Sequence, residues 1–268
     1  MNTTWDLLDT PSKRSVVVAL DHGINMGAVE QFEDPKSTLE SVLAGRPDGV
    51  LVGPHFAEHY GDILARSKTD VLLTADFVSP SSQPGEDIGT WVQQRAFSTD
   101  HLCEIDPVGV KSVLAFGRQN RRAFERNVEY ITDLAEELRG TDIPHIVETV
   151  MWGNEIPSRF ETDPQYVANA ARIGWELGAD ILKVPYTGDV ESFKPIVDTA
   201  PVPLMILGGP SSGSVRALLG DVSDAMDAGA RGLIVGRSIW QTEDPAAVVS
   251  ALREIVHEEA TVDAVWRA

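Results

Sequence analysis

The sequence predicts an α/β protein with a closed (β/α)8 fold, the TIM barrel. Short apolar runs rich in β-branched residues alternate with longer amphipathic segments along the whole chain. Eight such units in about 250 residues are typical of a closed barrel. An open doubly wound sheet usually carries a glycine-rich dinucleotide turn after its first strand, and the segment Ala19-Leu-Asp-His-Gly23 lacks that turn. No linker or low-complexity tract divides the chain, so we expect one barrel domain over residues 1–268.

Each element is assigned from the period of its apolar positions, taken in chain order. Continuous apolar runs, which suit strands buried on both faces, predict strands at residues 15–20, 49–52, 71–75, 111–115, 145–150, 181–184, 204–207 and 232–235. A helical period predicts helices at residues 36–43, 56–67, 121–138, 164–177, 190–199, 214–228 and 246–259. The segment between residues 79 and 105 is less regular, and we expect a loop there followed by one helix at residues 90–102.

Composition excludes several classes of protein. The formal net charge of −19 argues against nucleic acid or an anionic membrane as a partner. The single cysteine, Cys103, excludes an intrachain disulfide and a multi-cysteine zinc site. No apolar stretch approaches the roughly 20 residues that span a bilayer, and the first residues lack the pattern of a signal peptide. We expect a cytoplasmic protein.

Two glycine-bearing turns predict a phosphate site. They follow the seventh and eighth strands, whose loops usually bind phosphate in such barrels, and they contain Gly208, Gly209 and Gly236. Arg237 adds a cation that can contact phosphate oxygens. The alternative is that these glycines only permit tight turns. The paired turns favour a phosphorylated ligand.

Lys183 is a lone lysine near the end of the apolar sixth strand. Such an amine either pairs with a buried acid or loses its proton and becomes a nucleophile for a carbonyl substrate. Asp21 ends the first strand, where it can pair with Lys183, relay protons or bind a substrate hydroxyl. A structural ion pair of Lys183 with Asp21 or Asp76 is the competing interpretation. The other substrate-pocket residues expected at the strand ends are His22, His55, Asp76, Trp152 and Tyr186.

Two further motifs favour other chemistry. His55 and His59 have the H-x-x-E-H spacing of some zinc sites, with His22 or Asp76 as further ligands. However, helical geometry is not assured at His55, and we expect no metal. Gly209-Pro-Ser-Ser-Gly213 fits the G-x-S-x-G motif of serine hydrolases, but no histidine partner for Ser211 is evident.

A family resemblance is carried by four segments: Ala19-Leu-Asp-His-Gly23, Gly178-Ala-Asp-Ile-Leu-Lys-Val-Pro-Tyr-Thr-Gly-Asp189, Gly208-Gly-Pro210 and Gly236-Arg-Ser-Ile-Trp-Gln241. Together they resemble the archaeal-type class I fructose-bisphosphate aldolases. The wider group includes deoxyribose-phosphate aldolase, tagatose-bisphosphate aldolase and the aminodideoxyheptulosonate synthases. The resemblance implies a Schiff base on Lys183, assistance from Asp21, and phosphate binding by Gly209, Gly236 and Arg237.

One departure from the family pattern concerns the fifth strand. The archaeal-type enzymes carry an acid/base tyrosine there, whereas this strand has no tyrosine and carries Glu148, similar to the glutamate of tagatose-bisphosphate aldolases. A role for Glu148 only as an ion-pair partner of Lys183 is the alternative.

These observations predict a class I aldolase that cleaves or forms a phosphorylated ketose, releasing dihydroxyacetone phosphate or a related ketone. We expect a phosphorylated sugar as the small-molecule partner, no cofactor, and a homo-oligomer. The alternatives are a transaldolase or acyl-transferase that uses the same imine, or a barrel that binds a phosphosugar without forming an imine.

Overall fold

Parallel strands close into a barrel in the computed structural model, which describes residues 5–79, 92–117, 121–152, 157–208 and 213–267. The strands are β1 (Ser15–Ala19), β2 (Gly49–Val52), β3 (Asp70–Thr74), β4 (Asp76–Ser79), β5 (Val92–Arg95), β6 (Gly109–Ala115), β7 (His145–Val150), β8 (Ile181–Pro185), β9 (Leu204–Leu207) and β10 (Gly232–Val235). The barrel order is β1-β10-β9-β8-β7-β6-β3-β2, and β4 pairs with β5 outside it. The predicted (β/α)8 barrel is confirmed.

Helices follow the barrel strands and cover their outer faces. They are α1 (His22–Met26), α2 (Pro35–Ala44), α3 (Pro54–His59), α4 (Gly61–Ser67), α5 (Thr99–Glu104), α6 (Arg121–Leu138), α7 (Pro164–Glu176), α8 (Val190–Val197), α9 (Val215–Asp227), α10 (Arg237–Trp240), α11 (Pro245–Glu258) and α12 (Val262–Val265). Short 3-10 turns lie at Asp6–Leu8 and Ser158–Phe160. No helix within these described ranges is both long enough and apolar enough to cross a membrane.

An Asp-Pro pair begins three of these helices. Asp34, Asp163 and Asp244 each accept a backbone N–H bond at the N-cap of α2, α7 and α11, and a proline takes the first helical position. The aspartate satisfies an N–H that the helix leaves unpaired, while proline has no N–H to lose. These pairs fix where the helices start, and hence the lengths of the turns that leave the strands.

The amino end of the barrel interior is filled by apolar side chains. The 3-10 turn at Asp6–Leu8 inserts Leu7 and Leu8 into this layer, where they pack with residues of the strands: Val17, Leu51, Leu72, Ile146, Ile181, Met205 and Ile234. A second apolar core lies between the strands and the helices. Among the described residues, the buried charged side chains of the barrel interior therefore lie above this layer, towards the carboxyl end.

The segment after β3 differs from the sequence prediction. The prediction of one helix at residues 90–102 is wrong, because β4 and β5 form an antiparallel hairpin, with Asp76 opposite Arg95, and only α5 follows. The side chain of Gln93 donates to the Val113 carbonyl oxygen, and Arg95 donates to Glu137. These long-range bonds override the helical preference of glutamine and arginine. The predicted helix at residues 56–67 is also divided, into α3 and α4.

Candidate active site

Lys183 and Glu148 face each other across neighbouring strands. The register of β7 and β8 places them side by side, and alternate residues of a strand point to the same face, so both side chains enter the barrel. Lys183 Nζ lies 2.9 Å from Glu148 Oε2. Both residues are 6% exposed. Within the described part of the chain, this lysine is therefore held by a single carboxylate.

A second buried lysine, Lys111 of β6, completes the cluster. Its Nζ lies 3.1 Å from Asp21 Oδ2, 3.7 Å from Glu148 Oε2 and 3.7 Å from Asp76 Oδ1. Lys111 is the first residue of the strand predicted at residues 111–115, and no role was predicted for it. The sequence pattern that could have identified Lys111 is the one that identified Lys183, namely a lysine within an apolar strand.

The charges of this cluster shift the ionisation of its members. Burial opposes the charge of Asp21, but the nearby cations, above all Lys111 and also Lys183, outweigh it and lower the pKa of Asp21 to about 2. Burial also opposes the charge of Lys111, yet its three carboxylate neighbours raise the pKa of that lysine above its ordinary value. Lys111 is thus a fixed ammonium at neutral pH.

His22 lies beside the carboxylate of Asp21. Its ring packs edge-on against Trp240, with ring centroids 5.3 Å apart, and its Nδ1 is 3.8 Å from Asp21 Oδ1. Burial lowers the pKa of His22 despite that carboxylate. At neutral pH the His22 imidazole is therefore uncharged, and it forms part of the pocket wall.

A cavity of about 520 Å³ opens above the two lysines. Its lining includes eight residues of the predicted site, Asp21, His22, Glu148, Trp152, Lys183, Gly208, Gly236 and Arg237, together with the unpredicted Lys111, Asn25, Glu161 and Thr162. A volume of this size suits a small ligand.

Gly236 lies where no side chain fits. A Cβ at this position would approach within 2.4 Å of His22 Cε1 and 2.5 Å of the Ala19 carbonyl oxygen. A Cβ at Gly208 would lie 2.8 Å from Val235 Cγ1. Both positions are therefore too closely packed for a side chain, and both line the cavity together with Arg237; phosphate binding by these residues stays a prediction. Gly209 and Ser211 lie outside the described residues.

The structure places three predicted pocket residues outside the cavity lining. The His55 side chain is 76% exposed and bonds Glu58. Tyr186 follows the inward-facing Pro185, so alternation turns its ring outward, where it packs on Phe193 at 5.2 Å. Asp76 is fully buried and accepts the Val113 N–H at 2.7 Å.

Asp76 supports the site from behind the lining. Burial raises its pKa, although Lys111 and the Val113 N–H oppose that shift. The competing interpretation predicted an ion pair of Lys183 with Asp21 or Asp76. In the structure Lys183 instead donates a hydrogen bond to Glu148. The neighbour of Asp21 and Asp76 is Lys111 instead.

Known proteins resemble this chain both in amino-acid sequence and in barrel fold. The family model of DeoC/LacD family aldolases matches residues 15–242. The chain belongs to this aldolase family. A class 1 fructose-bisphosphate aldolase of Halobacterium salinarum is 31% identical over an alignment of 269 positions, which covers 95% of this chain and 96% of the relative. A 2-amino-3,7-dideoxy-D-threo-hept-6-ulosonate synthase of the same organism is 28% identical over 251, covering 94% and 89%.

A solved structure agrees with this family assignment. An archaeal fructose-1,6-bisphosphate aldolase, whose catalytic lysine is covalently bound to the carbinolamine intermediate, has a TM-score of 0.79 and 27% identity, covering 93% of this chain and 96% of that one. The chain is therefore a class I aldolase, the kind of enzyme that works through a lysine imine. The resemblance seen in the sequence is confirmed.

Proposed function

We propose that this DeoC/LacD family aldolase makes or breaks a C–C bond of a phosphorylated ketose through an imine on Lys183. The observation that carries the proposal is the 2.9 Å contact of Lys183 Nζ with Glu148 Oε2 at the base of the cavity. An amine and a proton-transfer group in direct contact are the two components that imine chemistry needs.

Lys183 is a better nucleophile than Lys111. Three carboxylates surround Lys111 within 3.7 Å and hold it as an ammonium, which has no lone pair for attack. Lys183 has one carboxylate partner within ion-pair distance among the described residues. Glu148 is thus placed to accept the proton that Lys183 must lose before it attacks a carbonyl.

The steps follow from these positions. The Lys183 amine adds to the ketose carbonyl to give a carbinolamine, and Glu148 donates the proton with which the hydroxyl leaves as water. The resulting iminium accepts the electron pair of the bond between its α and β carbons when a base removes the proton of the hydroxyl on the β carbon. The aldehyde departs, the enamine carbon takes a proton, and water releases the ketone from the lysine.

Lys111 and Asp21 position this chemistry. The ammonium of Lys111 lies 3.7 Å from the same Glu148 oxygen that contacts Lys183, so it stabilises the carboxylate that Glu148 becomes after it donates its proton to the leaving hydroxyl. Asp21, ionised throughout because its pKa is about 2, anchors Lys111 and lies on the cavity wall, where it can accept a substrate hydroxyl.

The phosphate group of the substrate would lie against Gly208, Gly236 and Arg237. These residues line the cavity beside His22, and in a chain with a net charge of −19 a guanidinium in the pocket supplies the local positive charge that an anion needs. The relatives named as fructose-bisphosphate aldolases support a phosphorylated ketose.

The reaction is tested by trapping the imine. Incubation with fructose 1,6-bisphosphate, tagatose 1,6-bisphosphate or dihydroxyacetone phosphate and then borohydride should add the mass of the reduced ketone to the peptide that contains Lys183. Lys183→Met should abolish the adduct. Lys194→Met, which alters an exposed lysine on α8, is the matched control and should keep it. An adduct on Lys111, or none with any ketose phosphate, would refute the proposal.

A transferase is the second candidate, favoured by the relative that is a heptulosonate synthase. It would form the same imine and pass the enamine or acyl fragment to a second acceptor. Product analysis with and without an added aldehyde distinguishes the two outcomes, because a lyase releases a free aldehyde without any acceptor.

A further inference from the structure

Three side chains of the kind that bind metals meet on the protein surface, away from the cavity. His55 and Glu58 belong to α3, and His101 belongs to α5. Glu58 Oε2 lies 2.8 Å from His55 Nδ1, and Glu58 Oε1 lies 2.9 Å from His101 Nε2. One ligand atom from each residue lies within 4.8 Å of the others, and none of the three lines the cavity. We propose that these residues form a binding site for a divalent transition-metal cation such as Zn²⁺.

The donor atoms suit this class of ion. Two imidazole nitrogens and one carboxylate oxygen are the ligand types that Zn²⁺ takes in proteins. In a tetrahedral zinc site, ligand atoms about 2.1 Å from the metal lie about 3.4 Å from one another. Here one donor atom from each residue lies within 4.8 Å of the others, so small rotations of these side chains would bring the donors to that spacing. Two neutral imidazoles and one carboxylate carry a charge of −1, which a divalent cation more than offsets, and the side-chain exposures of 76% at His55 and 47% at Glu58 leave room for water ligands.

The local structure holds the donors in place before any ion binds. His55 and Glu58 are three residues apart on one helix, so they share a face. The backbone N–H of His101 donates to the N-cap Ser98 Oγ at 3.3 Å. The Phe97 ring lies 5.9 Å from the His55 ring and 6.1 Å from the His101 ring. The two imidazoles are therefore packed against a common aromatic neighbour, 5.2 Å from each other.

This site differs from the one that the sequence spacing indicates. The H-x-x-E-H pattern pairs His55 with His59, but the His59 ring packs edge-on against Tyr60 at 4.7 Å and is outside the cluster. The third ligand comes from α5 instead. That helix lies between the β4–β5 hairpin and β6, the strand that carries Lys111.

A cation at this site would cross-link α3 to α5 on the outer wall of the barrel. Its effect is on stability, because it stabilises the folded state in proportion to its occupancy, and the imine chemistry needs no metal. The bound ion should raise the unfolding midpoint and leave aldolase activity unchanged.

The test uses the full chain without a polyhistidine tag, stripped with a chelator and then titrated with Zn²⁺ by calorimetry and with Co²⁺ by visible absorption. We expect one ion per chain, an intense Co²⁺ absorption of tetrahedral type, and a rise in the unfolding midpoint of about 2 °C or more on saturation. His55→Ala and His101→Ala should each weaken binding by about tenfold or more.

His59→Ala is the matched control, since it removes a neighbouring exposed histidine that is not in the cluster. It should bind Zn²⁺ as the unaltered chain does. Circular dichroism and aldolase activity verify that each variant is folded. Absence of binding at millimolar Zn²⁺, or binding that the His55 and His101 variants leave unchanged, would show that the three side chains form only a surface ion-pair cluster and would overturn the proposal.

Discussion

Loss of stability in acid should depend strongly on one buried histidine, His145, at the start of β7. It is 1% exposed. Its Nε2 shares a 2.7 Å hydrogen bond with Ser112 Oγ, and its Nδ1 has no hydrogen-bond partner within the described part of the chain. Burial lowers the pKa of the imidazole to about 3. The folded protein therefore keeps His145 neutral where the unfolded chain protonates it.

The sign and size of the effect follow from these two pKa values. An unfolded histidine has a pKa of about 6.5, so between about pH 6.5 and pH 3 the unfolded state binds more protons and stability falls as the pH falls. Lowering the pH from 7 to 5 should remove about 2 kcal/mol of the free energy of unfolding through this residue alone.

Urea unfolding of the unaltered chain and of His145→Gln at pH 7, 6 and 5 measures this loss. Glutamine keeps a polar group near Ser112 but does not titrate, so the variant should lose about 2 kcal/mol less over the same interval. His59→Gln, at an exposed position, should keep the pH dependence of the unaltered chain. Equal losses in the unaltered chain and in His145→Gln would refute the reasoning.

Three further predictions concern the site and the barrel interior. Lys111→Met leaves buried carboxylates without their cation, so it should raise the pKa of Asp21 and destabilise the fold by about 3 kcal/mol or more in urea unfolding; unchanged stability would contradict this. Gly236→Ala should raise KM for the ketose phosphate by about tenfold or more, because the new Cβ would lie 2.4 Å from His22 Cε1. Gly220→Ala is the control, since its Cβ would have no atom within 4 Å, and it should leave KM unchanged. Leu7→Ala should lower the free energy of unfolding by about 2–5 kcal/mol while kcat/KM of the folded enzyme stays the same; a change in kcat/KM would show that the amino end of the barrel affects the site.

The barrel could be predicted because its strands are buried on both faces and therefore appear as continuous apolar runs. The lysine of β8 could be predicted for the same reason, since a charge within such a run is conspicuous. Lys111 was missed because the predicted strand began at that residue. The strand begins at Gly109, so Lys111 is its third residue and points inward with Val113.

The hairpin and the surface histidines could not be predicted from local patterns. β4 and β5 are short, and their pairing brings together residues that are separated by a long segment. The meeting of His55 with His101 likewise depends on how α3 and α5 pack, while the spacing within α3 indicates only His59. Local periodicity carries no information about such contacts.

The packed layer around Leu7 and Leu8 has a consequence for turnover. It closes the amino end of the barrel below Lys183, so reactants enter and leave by the carboxyl end. In the proposed cleavage, the fragment joined to the lysine cannot depart until its imine is hydrolysed. The free aldehyde therefore leaves first and the ketone second, and synthesis runs in the reverse sequence, so the enzyme should follow an ordered kinetic scheme.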